Sequence, residues 1–229
     1  MSLLPVSRHR VVRVLVAVVL PLVLVSCQQE AGGGKATTTL TRPDQGAIAT
    51  PAPDSFKVAF ESSKGRFTVM AHRDWAPRGV DRFYHLVELG FFDDARFFRV
   101  LRGFMAQFGM NGDPRVMSAW EQLTFPDDPV KQSNVRGMVT FAAGGARNSR
   151  STQLFINYAN NRNLDGMGFA PIGQVMDGMS VVDSLYGDYG EGAPDGAGPS
   201  QERIAAEGNA YLTKSFPKLD FIKTARIVP

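Results

Sequence analysis

Phe97-Phe98-Arg99-Val100-Leu101-Arg102-Gly103-Phe104-Met105-Ala106-Gln107 is the stretch on which the reading of this chain turns. Two short apolar runs, Phe97–Val100 and Phe104–Phe108, stand on either side of a glycine, the pattern of brief strands joined by a turn. An arginine sits inside the first run, bracketed by aromatic residues. On this segment alone two uses of Arg99 stay open. It can lie on a core strand and snorkel its charge to water, or it can serve a functional site, followed as it is by Phe104, Met105 and Gln107.

Upstream, Phe56, Val58 and Phe60 alternate with Lys57, Ala59 and Glu61, a half-buried strand. Ser63-Lys64-Gly65 supplies a turn, and a second strand runs through Phe67 and Val69. Pro77 can open a helix, and Val80, Phe83, Tyr84 and Val87 then fall on one helical face that Gly90 ends. Downstream, Met138–Ala142 and Leu154–Ile156 are further short apolar runs. A second short helix is expected from about Gly178 to Leu185, with Met179, Val182 and Tyr186 on one face. Gly187 to Pro199 reads as a Gly/Pro-rich loop, and Leu219 to Val228 as a closing strand. Many short strands with two helices favour an antiparallel barrel over a βαβ fold.

The net charge of +3 is misleading as it stands. Three of the 25 basic residues, Arg8, Arg10 and Arg13, lie in the first 26 positions, which hold no acid, so 22 remain to face 22 acidic ones. A near-neutral remainder gives no electrostatic case for nucleic acid. Those basic residues precede an apolar stretch from Val14 to Val25, too short for a membrane span of roughly 20 residues and of the length of a signal-peptide core. Leu24-Val25-Ser26-Cys27 follows and resembles a bacterial lipobox, with the single cysteine of the chain at the position that would carry the lipid. An incidental buried thiol and an uncleaved signal anchor are the competing readings of Cys27. The expected organisation is a signal peptide over residues 1–26, a lipidated Cys27 with a flexible Gly/Thr/Pro-rich tether over 27–53, and a folded domain over 54–229. If Cys27 is lipidated, the chain faces the periplasm or the cell exterior. Gln28 then favours the outer membrane in a Gram-negative host.

Conventional catalytic sets are missing from the sequence. His9, His72 and His85 are scattered and form no metal-ligand spacing. No Gly-x-Ser-x-Gly, phosphate loop or dinucleotide fingerprint is present. Asp93-Asp94 and Asp127-Asp128 read as solvated turns. Such a chain either binds or performs a reaction that needs no nucleophile, metal or cofactor.

Two more blocks decide between these. Gly137-Met138-Val139-Thr140-Phe141-Ala142 leads through a Gly/Asn/Ser loop into Ser151-Thr152-Gln153-Leu154-Phe155-Ile156, and Asn163-Leu164-Asp165-Gly166 leads into Gly168-Phe169-Ala170-Pro171-Ile172-Gly173-Gln174-Val175. In this order and spacing the three blocks resemble the cyclophilin family of peptidyl-prolyl cis–trans isomerases, from about Phe56 to Ile227. The resemblance implies a closed eight-stranded antiparallel β-barrel capped by two α-helices. It implies Arg99 as the catalytic arginine and Gln107 as a second catalytic residue, a polar group that contacts the substrate backbone. Phe104, Met105, Phe155 and Leu164 match the walls of a proline pocket. Gln153 matches a polar contact to the substrate backbone. Ala142 and Ala143 match the stretch along which the peptide lies, Ala143 standing where the family has Asn.

The chemistry suits these residue types. Turning an X-Pro bond breaks amide resonance across a barrier of about 18–20 kcal/mol, although the two isomers differ by under about 1 kcal/mol. In the twisted state the proline nitrogen regains a localised lone pair. A guanidinium aimed at it donates a hydrogen bond that is strong only at the top of the barrier. No cofactor is required. The expected partners are proline-containing unfolded or extended polypeptides and, through the lipid, a membrane; a monomer is expected.

Departures from the family pattern also carry expectations. Asn163 replaces a Trp that contributes to cyclosporin binding, which implies weak inhibition. Arg102 replaces Pro and Phe98 replaces His. The loop after Gly166 is one residue longer, which puts Phe169 where a pocket His is usual. Two other readings remain at this point: a binding module of the same shape without turnover, and a purely structural envelope lipoprotein.

Overall fold

The computed structural model describes Met1 and residues 40–46, 48 and 50–229. The expected signal peptide and Cys27 lie outside the described residues. The chain divides into two units, Met1–Ala31 and Gly32–Pro229, and every element below belongs to the second.

Eight strands carry the fold: β1 Ser55–Ser62, β2 Gly65–His72, β3 Arg99–Leu101, β4 Met105–Phe108, β5 Met138–Phe141, β6 Leu154–Asn157, β7 Pro171–Asp177 and β8 Ile222–Val228. They form one antiparallel sheet in the order β3-β4-β6-β5-β7-β2-β1-β8. The sheet curls over a single core. Phe60 on β1 and Phe108 on β4 are far apart in the strand order, yet their rings meet edge to face at 5.9 Å. Phe60 also stacks at 4.8 Å on Phe67, its directly opposed residue on β2, the cross-strand aromatic pairing that stabilises sheets.

The expected closed barrel is not observed: the eight-stranded sheet is curled but open. Among the described residues β3 and β8, the two ends of the sheet, share no ladder. β3 is three residues long and its ladder is with β4 alone. The segments just before them meet instead. Arg96 bridges Phe221, and the N–H groups of Phe97 and Ile222 donate to the carbonyls of Asp220 and Ala95, each at 2.9 Å.

Both expected helices are present. α1 spans Pro77–Glu88 with Val80, Phe83 and Val87 buried, and packs on β2, β7 and β8. Two helices were not expected: α2, Pro114–Trp120, and α3 to α4 follow in chain order as Met179–Asp183, the second expected helix, and Gln201–Ser215. α2 is capped by Asp113, whose carboxylate accepts the Arg115 N–H at 2.9 Å. α2 packs against α4. Arg102 does not line the pocket and stays exposed. It donates to the carbonyls of Asp183 and, at 2.8 Å, Leu185, closing the C-terminal end of α3.

The packed unit reaches upstream of residue 54, the expected domain start. Ile48 and Ala52 join the core. Trp120 donates its indole N–H to the Leu40 carbonyl at 2.8 Å. Ala52 N–H donates to Asp81 at 2.8 Å, and His85 Nε2 lies 2.8 Å from the Thr50 carbonyl. The polar composition of this segment hid a few well-placed apolar residues. Among the described residues no helix is long and apolar enough to cross a membrane.

Candidate active site

Strand alternation builds the site. On β3, β4, β5 and β6 the residues Val100, Ala106, Phe108, Val139, Phe141, Leu154 and Ile156 point into the main core. The intervening positions point to the opposite face. There Arg99 is paired with Gln107 across the β3–β4 ladder, and Gln107 with Phe155 across β4–β6. Period two therefore aligns a charge, an amide and an aromatic ring on one outer surface.

A smaller apolar cluster, separate from the main core, forms on this face. Met105, Phe155 and Leu164 are buried in it, with Leu101, Phe104, Ala142 and Phe169 packed against them. Leu164 arrives on a 3₁₀ turn, Arg162–Leu164, after β6. Phe169 meets Phe155 edge to face at 5.8 Å. These side chains wall a cavity of about 620 Å³. All ten residues that the sequence assigned to catalysis or substrate binding line it: Arg99, Phe104, Met105, Gln107, Ala142, Ala143, Gln153, Phe155, Leu164 and Phe169. Asn163, by contrast, is exposed beside the pocket and builds no wall where the family has an indole.

The polar groups form a directed chain. Arg99 Nη1 donates to Gln107 Oε1 at 3.1 Å, and Gln107 Nε2 donates to Gln153 Oε1 at 2.8 Å. The Arg99 guanidinium carbon stands 5.9 Å from the centre of the Phe104 ring. The amide of Gln107 thus orients the guanidinium and is itself oriented, leaving the aromatic and thioether walls beside the charge.

Beneath the pocket lies a buried polar network. Asn134 Nδ2 donates to Asp165 at 2.8 Å and to the Phe169 carbonyl at 2.7 Å. Thr140 donates to Asn134 Oδ1 at 2.8 Å. Asn161 Nδ2 donates to Asn157 Oδ1 at 2.7 Å and to the Phe104 carbonyl at 2.9 Å. Three pocket walls, Phe104, Leu164 and Phe169, are therefore tied to one set of amides. Burial pushes the Asp165 carboxyl up, and the hydrogen bonds from Asn134 and Ser133 outweigh it, holding the group below the usual carboxylate range.

Two parts of the site were not foreseen. The far end of the cavity is lined by Met110, Met117 and Glu121 near α2 and by Gln201, Glu202 and Ala205 of α4. The second is Glu191, in the loop before α4, whose carboxylate meets Arg99. Its only sequence signal is an acid among glycines.

Residues 56–203, well over half of the chain, match the family described as cyclophilin type peptidyl-prolyl cis-trans isomerase/CLD. The match ends within α4, before β8. The chain is 30% identical over 137 residues to peptidyl-prolyl cis-trans isomerase B of Escherichia coli (strain K12), covering 57% of this chain and 84% of that protein. It is 32% identical over 148 residues to peptidyl-prolyl cis-trans isomerase A of Dickeya dadantii (strain 3937), covering 60% and 74%. In fold it is similar to a cyclophilin type peptidyl-prolyl cis-trans isomerase of Cryptosporidium parvum, with a TM-score of 0.57 at 19% identity over 76% of this chain and 98% of that one. A structure of that protein in the presence of the dipeptide Ala-Pro gives a TM-score of 0.55, also at 19% identity, over 76% of this chain and 99% of that one. Sequence blocks, curled sheet, pocket geometry and these matches agree, and the chain belongs to the cyclophilin type peptidyl-prolyl cis-trans isomerases.

Proposed function

We propose that Arg99 carries the isomerase activity of this chain, with Gln107 as its partner and Phe104, Met105, Phe155, Leu164 and Phe169 as the seat of the proline ring. The observation that carries the reading is the convergence of Arg99, the Gln107–Gln153 amide chain and the separate apolar cluster on one cavity. The apolar walls hold the pyrrolidine ring still, and Ala142 and Ala143 flank the path of the preceding residues. Rotation then proceeds on the other side of the C–N bond. Arginine N–H donors not taken by Gln107 can reach the proline nitrogen as its lone pair localises. That hydrogen bond is strong only in the twisted state, so it lowers the barrier without tightening the ground-state complex. Neither bonds nor electrons are exchanged with the protein.

The test is NMR exchange of an Ala–Pro tetrapeptide with the wild-type chain and with Arg99→Ala. The expected result is clear acceleration by the wild type and a loss of about 10²-fold in the variant, at unchanged thermal stability. Equal turnover in both proteins removes Arg99 from the mechanism. Peptide binding without acceleration by either leaves a binding module.

The same reading places the enzyme on exported, proline-containing polypeptides at the cell envelope, held by a lipid on Cys27. It is supported by the Arg8–Arg13 basic run, the Val14–Val25 apolar stretch and the single cysteine at the end of Leu24-Val25-Ser26-Cys27. Intact-mass measurement of the chain from bacterial membranes tests it. A diacylglyceryl mass increment that Cys27→Ser abolishes is expected; an unmodified chain recovered from the soluble fraction overturns it.

A further inference from the structure

Glu191 stands 92 residues from Arg99 in sequence and meets it head on. Its Oε1 accepts Arg99 Nε–H at 2.6 Å and its Oε2 accepts Nη2–H at 2.6 Å, a two-bond fork on one edge of the guanidinium. Gln107 holds another donor, on Nη1. Of the five N–H groups of a guanidinium, these bonds engage three, one on each of its nitrogens, and Nη1 also lies 3.9 Å from Met105 Sδ, so the plane is anchored all round. Glu191 does not line the cavity, so its carboxylate leaves the space for substrate free.

The loop is built to present that carboxylate. Glu191 Oε1 also accepts the Gly192 N–H at 2.9 Å. The Glu191 carbonyl accepts the Gly198 N–H at 2.8 Å, and Gly192 bridges Gly198. Gly198 has to be glycine for this: a Cβ there would fall 2.6 Å from the Glu191 carbonyl oxygen. A side chain as long as arginine, with 23% of its surface exposed, would otherwise sample many rotamers.

We propose that Glu191 is a positioning residue for the reaction: it fixes the plane of the Arg99 guanidinium so that the donors left free point at the proline nitrogen of the twisted substrate. The proposal rests on the role given to Arg99 above. A carboxylate beside a catalytic cation also weakens its field, and the opposite expectation, a brake on turnover, is what the experiment separates. Positioning makes removal slow the reaction; a brake makes removal speed it.

The experiment measures kcat and KM by NMR exchange of an Ala–Pro tetrapeptide with the full chain as wild type, Glu191→Ala, Glu191→Gln, Glu191→Asp and Arg99→Ala. It is paired with the ¹H–¹⁵N signal of the Arg99 Nε–H group. In Glu191→Ala, kcat is expected to fall by about tenfold or more, with KM within about twofold of the wild type. The Nε–H signal should lose its hydrogen-bonded shift. Glu191→Asp keeps the charge and recovers part of both. Should Glu191→Ala fail to fold, Glu191→Gln keeps the side-chain volume and is read in its place, with the same fall expected. Full-speed or faster turnover in the Glu191 variants, with Arg99→Ala inactive, overturns the positioning role and leaves the isomerase reading standing. If Arg99→Ala turns over like the wild type, the role of Arg99 fails and this proposal falls with it.

Discussion

Asp165, below the rim of the pocket, accepts the backbone N–H and the side-chain amide of Asn134, both at 2.8 Å. Its carboxyl is held below the ordinary range, so it binds a proton less readily folded than unfolded. The stabilisation it contributes is complete above the unfolded value of about 3.9 and is lost as pH falls through the lower folded value. Asp165→Asn is therefore expected to be less stable than the wild type at pH 7, by about 1 kcal/mol. The gap should close as pH falls below 4, and urea denaturation at several pH values reads it. A gap that does not change with pH would sink the argument. Asn134 has more at stake. It is fully buried, and loss of its side chain takes away the partner of Thr140 Oγ1 and of the Phe169 carbonyl and one of the donors to Asp165. Ten pocket residues were legible in the sequence because three blocks that resemble the family carry them at its spacing, although only Arg99, Met105, Gln107 and Phe155 lie on strands. Glu191 was not, because an acid in a glycine-rich loop has no periodicity, and its partner lies 92 residues away.

β1 and α1 were legible from periods of 2.0 and 3.6, and the other strands except β7 from short apolar runs between turn residues. α4 was not, and its backbone says why. At Gly208, φ is 59° and ψ is −143°, so the helix is broken in its middle. Ile204, Tyr211 and Leu212, buried on either side of that break, keep the i, i+7, i+8 spacing of one face, but Gly208 takes the i+4 place between them and leaves the apolar stripe too sparse to read. The break lets α4 approach the turn before α2: a Cβ on Gly208 would lie 2.1 Å from the Gly112 carbonyl oxygen. That same carbonyl accepts the Asn209 N–H at 2.9 Å. Gly208→Ala meets both a conformation that essentially only glycine adopts and a collision with backbone, and is expected to cost about 3 kcal/mol or more. Because Gln201, Glu202 and Ala205 of α4 line the far end of the cavity, KM for peptides extending beyond Ala–Pro should rise as well. Wild-type stability in Gly208→Ala would mean that the two helices are not held by this approach.

At the scale of the whole molecule, the segment from Leu40 to Pro53 acts as a strap. Its contacts fall on α1, through Asp81 and His85, and on α2, through Trp120. Arg99 and the apolar cluster around Phe155 lie elsewhere, on the outer face of β3, β4 and β6. Composition pointed to a tether here because Gly, Thr and Pro dominate, and a pattern reading cannot register isolated anchors such as Ile48. Yet burying one Ile side chain is worth about 1.5–3 kcal/mol, and the Trp120 indole N–H, left without the Leu40 carbonyl, adds a further cost of about 1 kcal/mol if water cannot replace it. A chain beginning at residue 54 is therefore expected to be less stable than one beginning at residue 40 by about 2–4 kcal/mol. That corresponds to a melting temperature lower by roughly 5–15 °C. Well below the melt, its kcat on an Ala–Pro peptide should match that of the longer chain, because the polar contacts of the strap's described residues fall on α1 and α2 and not on the Arg99–Gln107–Gln153 line. Equal melting temperatures would return the segment to the role of a spacer. A fall in kcat at full folding would mean instead that α2, which carries Met117 to the cavity wall, transmits the strap's hold on Trp120 to the site.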